Sequence, residues 1–143
     1  MLTFSLLGFP AKDMASELEI EETPVSELSI DEQIDHYATL YGVDNSLIKK
    51  IVQCESNYKT TAIGDGGRAR GLLQYHQGSF ERHEKLFGED LDYHSSHDQI
   101  KLGTFAISKG MGREWTSYRA IMNGGEYSFY SKLLQKNFTV RCK

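Results

Sequence analysis

The sequence predicts a mostly α-helical domain with at most a small irregular β-hairpin region near residues 58–75. Apolar residues recur at spacings of three and four across most of residues 29–137, the hallmark of amphipathic helices. Helix start and stop signals bracket those segments, and no sustained two-residue alternation is found, so sheet is expected only in a glycine-rich interval. With 143 residues, 39% hydrophobic and 25% charged, the chain can bury one core of moderate size.

Met1 to Pro10 include a short apolar stretch (Leu2, Phe4, Leu6, Leu7, Phe9) with no Lys or Arg ahead of it. A remnant export signal, a mis-assigned start and an apolar tail folded onto the domain all fit. Residues 11–28 are acidic and nearly free of aromatics, which reads as a flexible leader, so 1–28 are set apart from a domain at 29–143. The leader concentrates charge: residues 1–32 hold eight acids and one base, net −7, leaving fifteen bases and twelve acids, net +3, for the rest. A faintly basic body lacks the concentrated Lys/Arg stripe of a nucleic-acid binder, and no apolar run approaches the roughly 20 residues of a membrane span.

Ser29-Ile30-Asp31-Glu32 matches a capping box and starts a helix that runs to about Tyr41 and ends at Gly42. Asp44 or Asn45 caps a second helix reaching about Asn57. From Tyr58 to Arg70 the periodicity fails around Gly64, Gly66 and Gly67, giving a loop or small hairpin. Helical patterning returns near 79–87, 97–109, 113–122 and 126–137, with Ser95, Ser96 or Asp98 as a start and Gly88 and Gly110 as stops.

The second helix carries the chemical signal. With Ile48 at zero, Ile51 falls at about 300°, Val52 at about 40° and Glu55 at about 340°, while Lys49, Gln53 and Lys50 occupy about 100° to 200°. Glu55 therefore sits in the apolar stripe, where desolvation raises a carboxyl's pKa and suits it to carry a proton near neutrality. Position alone leaves open that Glu55 turns to solvent or pairs with Arg68 or Arg70.

Glu55-Ser56, a glycine-rich interval, then Gly71-Leu72-Leu73-Gln74 and Tyr75 resemble the catalytic core of the soluble lytic transglycosylase family, whose members share the lysozyme-like fold. The resemblance spans roughly residues 36–110 and includes Ser79-Phe80 after Gln74-Tyr75. It implies an α+β lysozyme-like domain and a substrate of peptidoglycan glycan strands, with no cofactor. It further implies a place outside the cytoplasm, and we expect a monomer. In that family one glutamic acid protonates the glycosidic oxygen between N-acetylmuramic acid and N-acetylglucosamine. Its carboxylate then takes the proton of the muramic 6-hydroxyl, which closes on C1 to give a 1,6-anhydro end. Glu55 maps onto that acid.

The residue types agree with such a site. Gly71 permits close backbone approach, Leu72 and Leu73 anchor the segment, and Gln74 offers an amide to a sugar or to solvent. Ser56 can hydrogen-bond the glutamate or substrate, and Tyr75 follows Gln74 in the motif. The family's later Ala-Tyr-Asn-Ala-Gly segment has only partial echoes, Tyr118-Arg119-Ala120 and Asn123-Gly124-Gly125, so Tyr118 is the candidate supporting tyrosine, ahead of Tyr93 and Tyr127. Trp115 lines a sugar groove or anchors a late helix in the core.

Competing constellations are weaker. Water-based glycoside hydrolysis needs a second carboxylate, for which Asp65 is the nearest candidate, although Asp-Gly is also a turn pair. Gly64-Asp65-Gly66-Gly67-Arg68-Ala69 fits a G-x-G-x-x-A pattern but follows a helix, not a strand. His76, His83, His94 and His97 lack a metal-ligand order and read as surface residues, so no metal site is expected. Cys54 and Cys142 join in a disulfide in an oxidising compartment and stay thiols in a reducing one.

Overall fold

The computed structural model of the chain describes residues 20–142, so the apolar stretch at 1–10 and the first half of the acidic leader, 11–19, lie outside the described residues. A 3-10 turn at Val25–Glu27 precedes the first helix, and Val25 packs against the core.

Helix α1, Ile30–Tyr41, opens on the capping box: Ser29 Oγ accepts from Glu32 N–H and the Glu32 carboxylate accepts from Ser29 N–H at 2.9 Å. Two of the donors that a helix start leaves unpaired are satisfied by side chains four residues apart or less. Gly42 ends α1 at φ 71°, a left-handed conformation that lets its N–H return to the last turn. Helix α2, Asn45–Ser56, is capped by Asp44 Oδ1 accepting from Ser46 N–H and ends at Asn57, also left-handed. Its apolar stripe, Ile48, Ile51 and Val52, is fully buried.

A three-stranded antiparallel meander follows, β1 Ile63–Gly64, β2 Ala69–Arg70 and β3 Tyr75–His76, in that order across the sheet. Helices α3 (Gln77–Phe87), α4 (Ser96–Ser108) and α5 (Thr116–Met122) complete the helical body. Helix α4 is the spine: Ile100, Leu102 and Ala106 are fully buried, and it packs against α1 and α3. Leu72 and Leu73, between β2 and β3, insert fully into this core, each worth roughly 1.5–3 kcal/mol of burial.

The segment expected as a last helix at 126–137 is instead a β-hairpin, β4 Glu126–Ser131 paired with β5 Lys136–Arg141, so sheet is not confined to the glycine interval. Its register sets Phe129 opposite Phe138 and Tyr127 opposite Val140, all half-buried, while Ser128, Tyr130, Asn137 and Thr139 face out. The inner residues bury against the body only in a two-residue period, and aromatic cross-strand pairing there outweighs the helical spacing of Tyr127, Tyr130 and Leu134.

The hairpin is fastened at both sides of its base. Cys142 is joined to Cys54 by a disulfide with Cα atoms 5.5 Å apart, and its N–H donates to Gly125 O at 2.8 Å. The Arg119 guanidinium stacks on the Tyr127 ring and donates to its hydroxyl at 2.9 Å. Closing a loop of this span restricts the unfolded chain, so replacing both cysteines with serine is expected to lower the unfolding free energy by about 2–4 kcal/mol in a urea titration. An unchanged midpoint would show that the bond adds nothing to stability.

Candidate active site

Glu55 lies in the last turn of α2, on the buried stripe and next to the disulfide of Cys54. Its half-buried carboxyl opens into a cleft of about 580 Å³. One wall comes from the β1–β3 meander and the start of α3, with Asp65, Arg68, Gln74 and His76. The floor is Tyr75, His83 and Trp115. The other wall is the β4–β5 hairpin, with Phe129, Leu133, Leu134 and Phe138.

Burial pushes the Glu55 carboxyl above the ordinary glutamate value. Ser117 opposes that shift: its hydroxyl and backbone N–H, in the first turn of α5, favour the ionised form. The Ser117 hydroxyl is buried and makes no other well-formed hydrogen bond among the described residues. No cation pairs with Glu55 among the described residues. Arg68 instead meets Asp65 at 3.0 Å, and Arg70 Nε donates to Gly67 O.

Two further carboxylates line the cleft, and both are matched by positive or hydrogen-donating groups. Asp65 contacts Arg68 Nη2 and His76 Nε2, each at 3.0 Å. Glu114 accepts from Arg82 Nη2 at 2.6 Å and from His83 Nε2. With Nε2 donating, His83 Nδ1 accepts from the Tyr75 hydroxyl, 2.9 Å away. His83 is fully buried, and burial lowers its pKa against the pull of Glu114. The expectation of surface histidines therefore fails for His83: a carboxylate and a phenol give the ring a satisfied buried place.

The turn carrying Gly71 to Gln74 is held by groups from elsewhere. Gly71, at φ 77°, packs so closely on Gln99 that a Cβ would meet that side chain at 2.5–2.8 Å. Gln99, almost fully buried, accepts from Leu73 N–H and donates to Arg70 O and Tyr93 O. Trp115 Nε1 donates to Leu73 O at 2.9 Å, so the indole braces the turn from the core while its edge reaches the cleft. Gln74 sits at φ 48°, and its Nε2 donates to Ala62 O and Gly71 O, which uses both amide hydrogens and leaves Oε1 as an acceptor.

Of the residues singled out from sequence, Glu55, Gln74, Tyr75 and Trp115 meet at the cleft. Ser56 turns away and donates to Val52 O one turn back. Gly71 shapes the turn from behind, and Tyr118 packs its ring on Gly112 outside the cleft lining. Tyr93 donates to Tyr75 O, and Tyr127 belongs to the hairpin. Sequence reasoning missed Ser117, Glu114 and the His83 contacts, because their partners are distant in the chain; a Glu-Trp-Thr-Ser start to a short helix was the available signal. Among the described residues no cluster of three or more His, Cys, Asp or Glu is arranged to hold a metal, and no helix is long and apolar enough to cross a membrane.

The family model described as the transglycosylase SLT domain matches residues 32–122, well over half of the chain. Among solved structures, an inactive mutant of lytic transglycosylase Slt from Pseudomonas aeruginosa is similar at 23% identity and a TM-score of 0.51 over 57% of this chain. That likeness shows a shared α+β lysozyme-like fold. The matched region is 14% of the Slt chain. No curated protein sequence matches.

A carboxyl with a raised pKa makes a directional demand on stability. Below the unfolded-state pKa both states are protonated and the group costs nothing; as pH rises from there to the folded pKa, the unfolded chain gives up a proton that the buried site still holds, and stability is lost. Glu55→Gln is therefore expected to match the parent in urea denaturation at acidic pH and to become the more stable protein toward neutral pH. A variant less stable than the parent at neutral pH would mean that the ionised carboxylate is favourably held.

Proposed function

The chain belongs to the transglycosylase SLT domain family, and on that premise we propose that it is a peptidoglycan lytic transglycosylase with Glu55 as its acid and base. The supporting observation is the contrast among the three cleft carboxylates: Asp65 and Glu114 are matched by Arg68, His76, Arg82 and His83, and Glu55 alone lacks a cation. Burial without a cation raises the pKa of Glu55, the direction a general acid needs.

The reaction runs on one carboxyl. Glu55 delivers its proton to the oxygen of the N-acetylmuramic acid β-1,4 N-acetylglucosamine bond as the C1–O bond breaks. The neighbouring acetamido group supports C1. The Glu55 carboxylate then accepts the proton of the muramic 6-hydroxyl, whose oxygen bonds to C1, and a 1,6-anhydro end leaves. Every proton Glu55 gives is returned, and no water is consumed. Ser117 moderates the acid: the carboxylate formed midway needs a dipole nearby, and the buried hydroxyl supplies one without a full charge.

Hydrolysis on the same fold needs a second carboxylate free to activate water. Asp65 and Glu114 reach the cleft, but Glu114 already accepts from Arg82 and His83, and Asp65 accepts from Arg68 with His76 in contact at 3.0 Å, which supports the one-acid route. The substrate class places the activity outside the cytoplasm, on glycan strands of the wall.

Mass spectrometry of sacculi digested by the full chain tests this reading. The expected products carry 1,6-anhydro ends, Asp65→Asn keeps that product type, and Glu55→Gln slows release by about 10²–10⁴-fold. Reducing ends alone would assign a water-using muramidase, and bound sacculi with no product would assign a non-catalytic glycan-binding module.

A further inference from the structure

The second wall of the cleft lies beyond the residues that the family model matches. The hairpin begins at Glu126, after the match ends at 122, yet it faces Glu55 across the same cleft. Its inner face is a row of near-parallel aromatic rings: Tyr127 and Phe129 have centroids 6.0 Å apart, and Phe129 and Phe138 5.7 Å apart at an angle of 20°. Phe129 and Phe138 remain half-exposed in the cleft rather than sealed in the core. The facing wall is polar, with Asp65, Arg68, Gln74 and His76.

A cleft with one aromatic wall and one hydrogen-bonding wall fits a ligand that is itself two-faced. A pyranose is such a ligand: axial C–H groups form an apolar, positively polarised face, which suits the electron-rich face of a ring, and its hydroxyl and amide groups form a polar rim. The hairpin is also fixed where it needs to be. The disulfide ties Cys142 to Cys54, the residue before Glu55, so the wall and the acid share one covalent anchor. Arg119 fixes the other side of the base through Tyr127. A wall held this way keeps its distance from the acid when a chain enters.

Resting on the proposed reaction, we propose that Phe129 and Phe138 form a sugar subsite on the hairpin, where an N-acetylhexosamine ring of the glycan strand stacks and is set in place beside Glu55. The binding element is thus contributed by a segment outside the family-matched core.

The test uses the full, disulfide-bonded chain carrying Glu55→Gln, which retains ligand without turnover. Its affinity for a peptide-free glycan tetramer of alternating N-acetylglucosamine and N-acetylmuramic acid is measured by calorimetry. Adding Phe138→Ala is expected to weaken binding about tenfold. Phe129→Leu and Phe138→Leu keep apolar bulk in the hairpin but remove the ring face, and each is expected to weaken binding by a smaller factor, several-fold. Tyr130→Ala, on the outer face, is expected to bind as the parent does. Equal affinity of the parent and both leucine variants, with the hairpin intact by NMR, overturns the subsite. Loss of affinity in the leucine variants only for fragments bearing stem peptides also overturns it, assigning the wall to peptide. A parent that binds no glycan at all instead removes the proposed reaction on which the subsite rests.

Discussion

A carboxyl taken out of water with no cation beside it is costly to ionise, and the fold around Glu55 is organised about that constraint. The helix period of α2 carries the group onto the same stripe as Ile48, Ile51 and Val52, and the start of α5 closes over it with Ser117. The arginines around the cleft have partners of their own: Arg68 meets Asp65, Arg70 a loop carbonyl and Arg82 Glu114. A single guanidinium moved to Glu55 would stabilise the carboxylate and end its use as an acid.

Holding that arrangement requires a rigid frame, and the frame is built from polar groups inside the core. Gln99 makes three hydrogen bonds to backbone groups of two segments, 70–73 and Tyr93, and Trp115 adds a fourth contact through Leu73 O. Each bond alone contributes about 1 kcal/mol. Their collective effect is positional, because the Gly71–Gln74 turn closes on itself only through the Gln74 N–H and amide bonds to Gly71 O and is otherwise placed by these outside groups. Tyr75, His83, Glu114 and Arg82 do the same under the cleft floor, converting a buried imidazole and a phenol into fixed walls.

What the sequence disclosed follows the range of the interactions. The capping box at Ser29, the left-handed stop at Gly42 and the Asp44 cap each close within a few residues, so local rules found them. The burial of Glu55 also followed from one helix's periodicity. Ser117, Gln99 and the pairing of His83 with Glu114 are single polar residues whose partners lie far along the chain, and no local pattern marks them. The hairpin was misread for a different reason. Tyr127, Tyr130 and Leu134 satisfy a helical template, and the turn at 132–135 has no glycine, with Gln135 supplying the left-handed residue at φ 51°. Its aromatic and β-branched residues were the contrary signal.

The state of one side chain decides the account, and carbon-13 NMR titration of the Glu55 carboxyl in the unmodified chain reads it directly. The account predicts a midpoint above the ordinary value of 4.5, rising further in Ser117→Ala as the opposing dipole is lost. A midpoint at or below 4.5 would mean that the carboxyl is solvated or paired, and it would contradict the central claim.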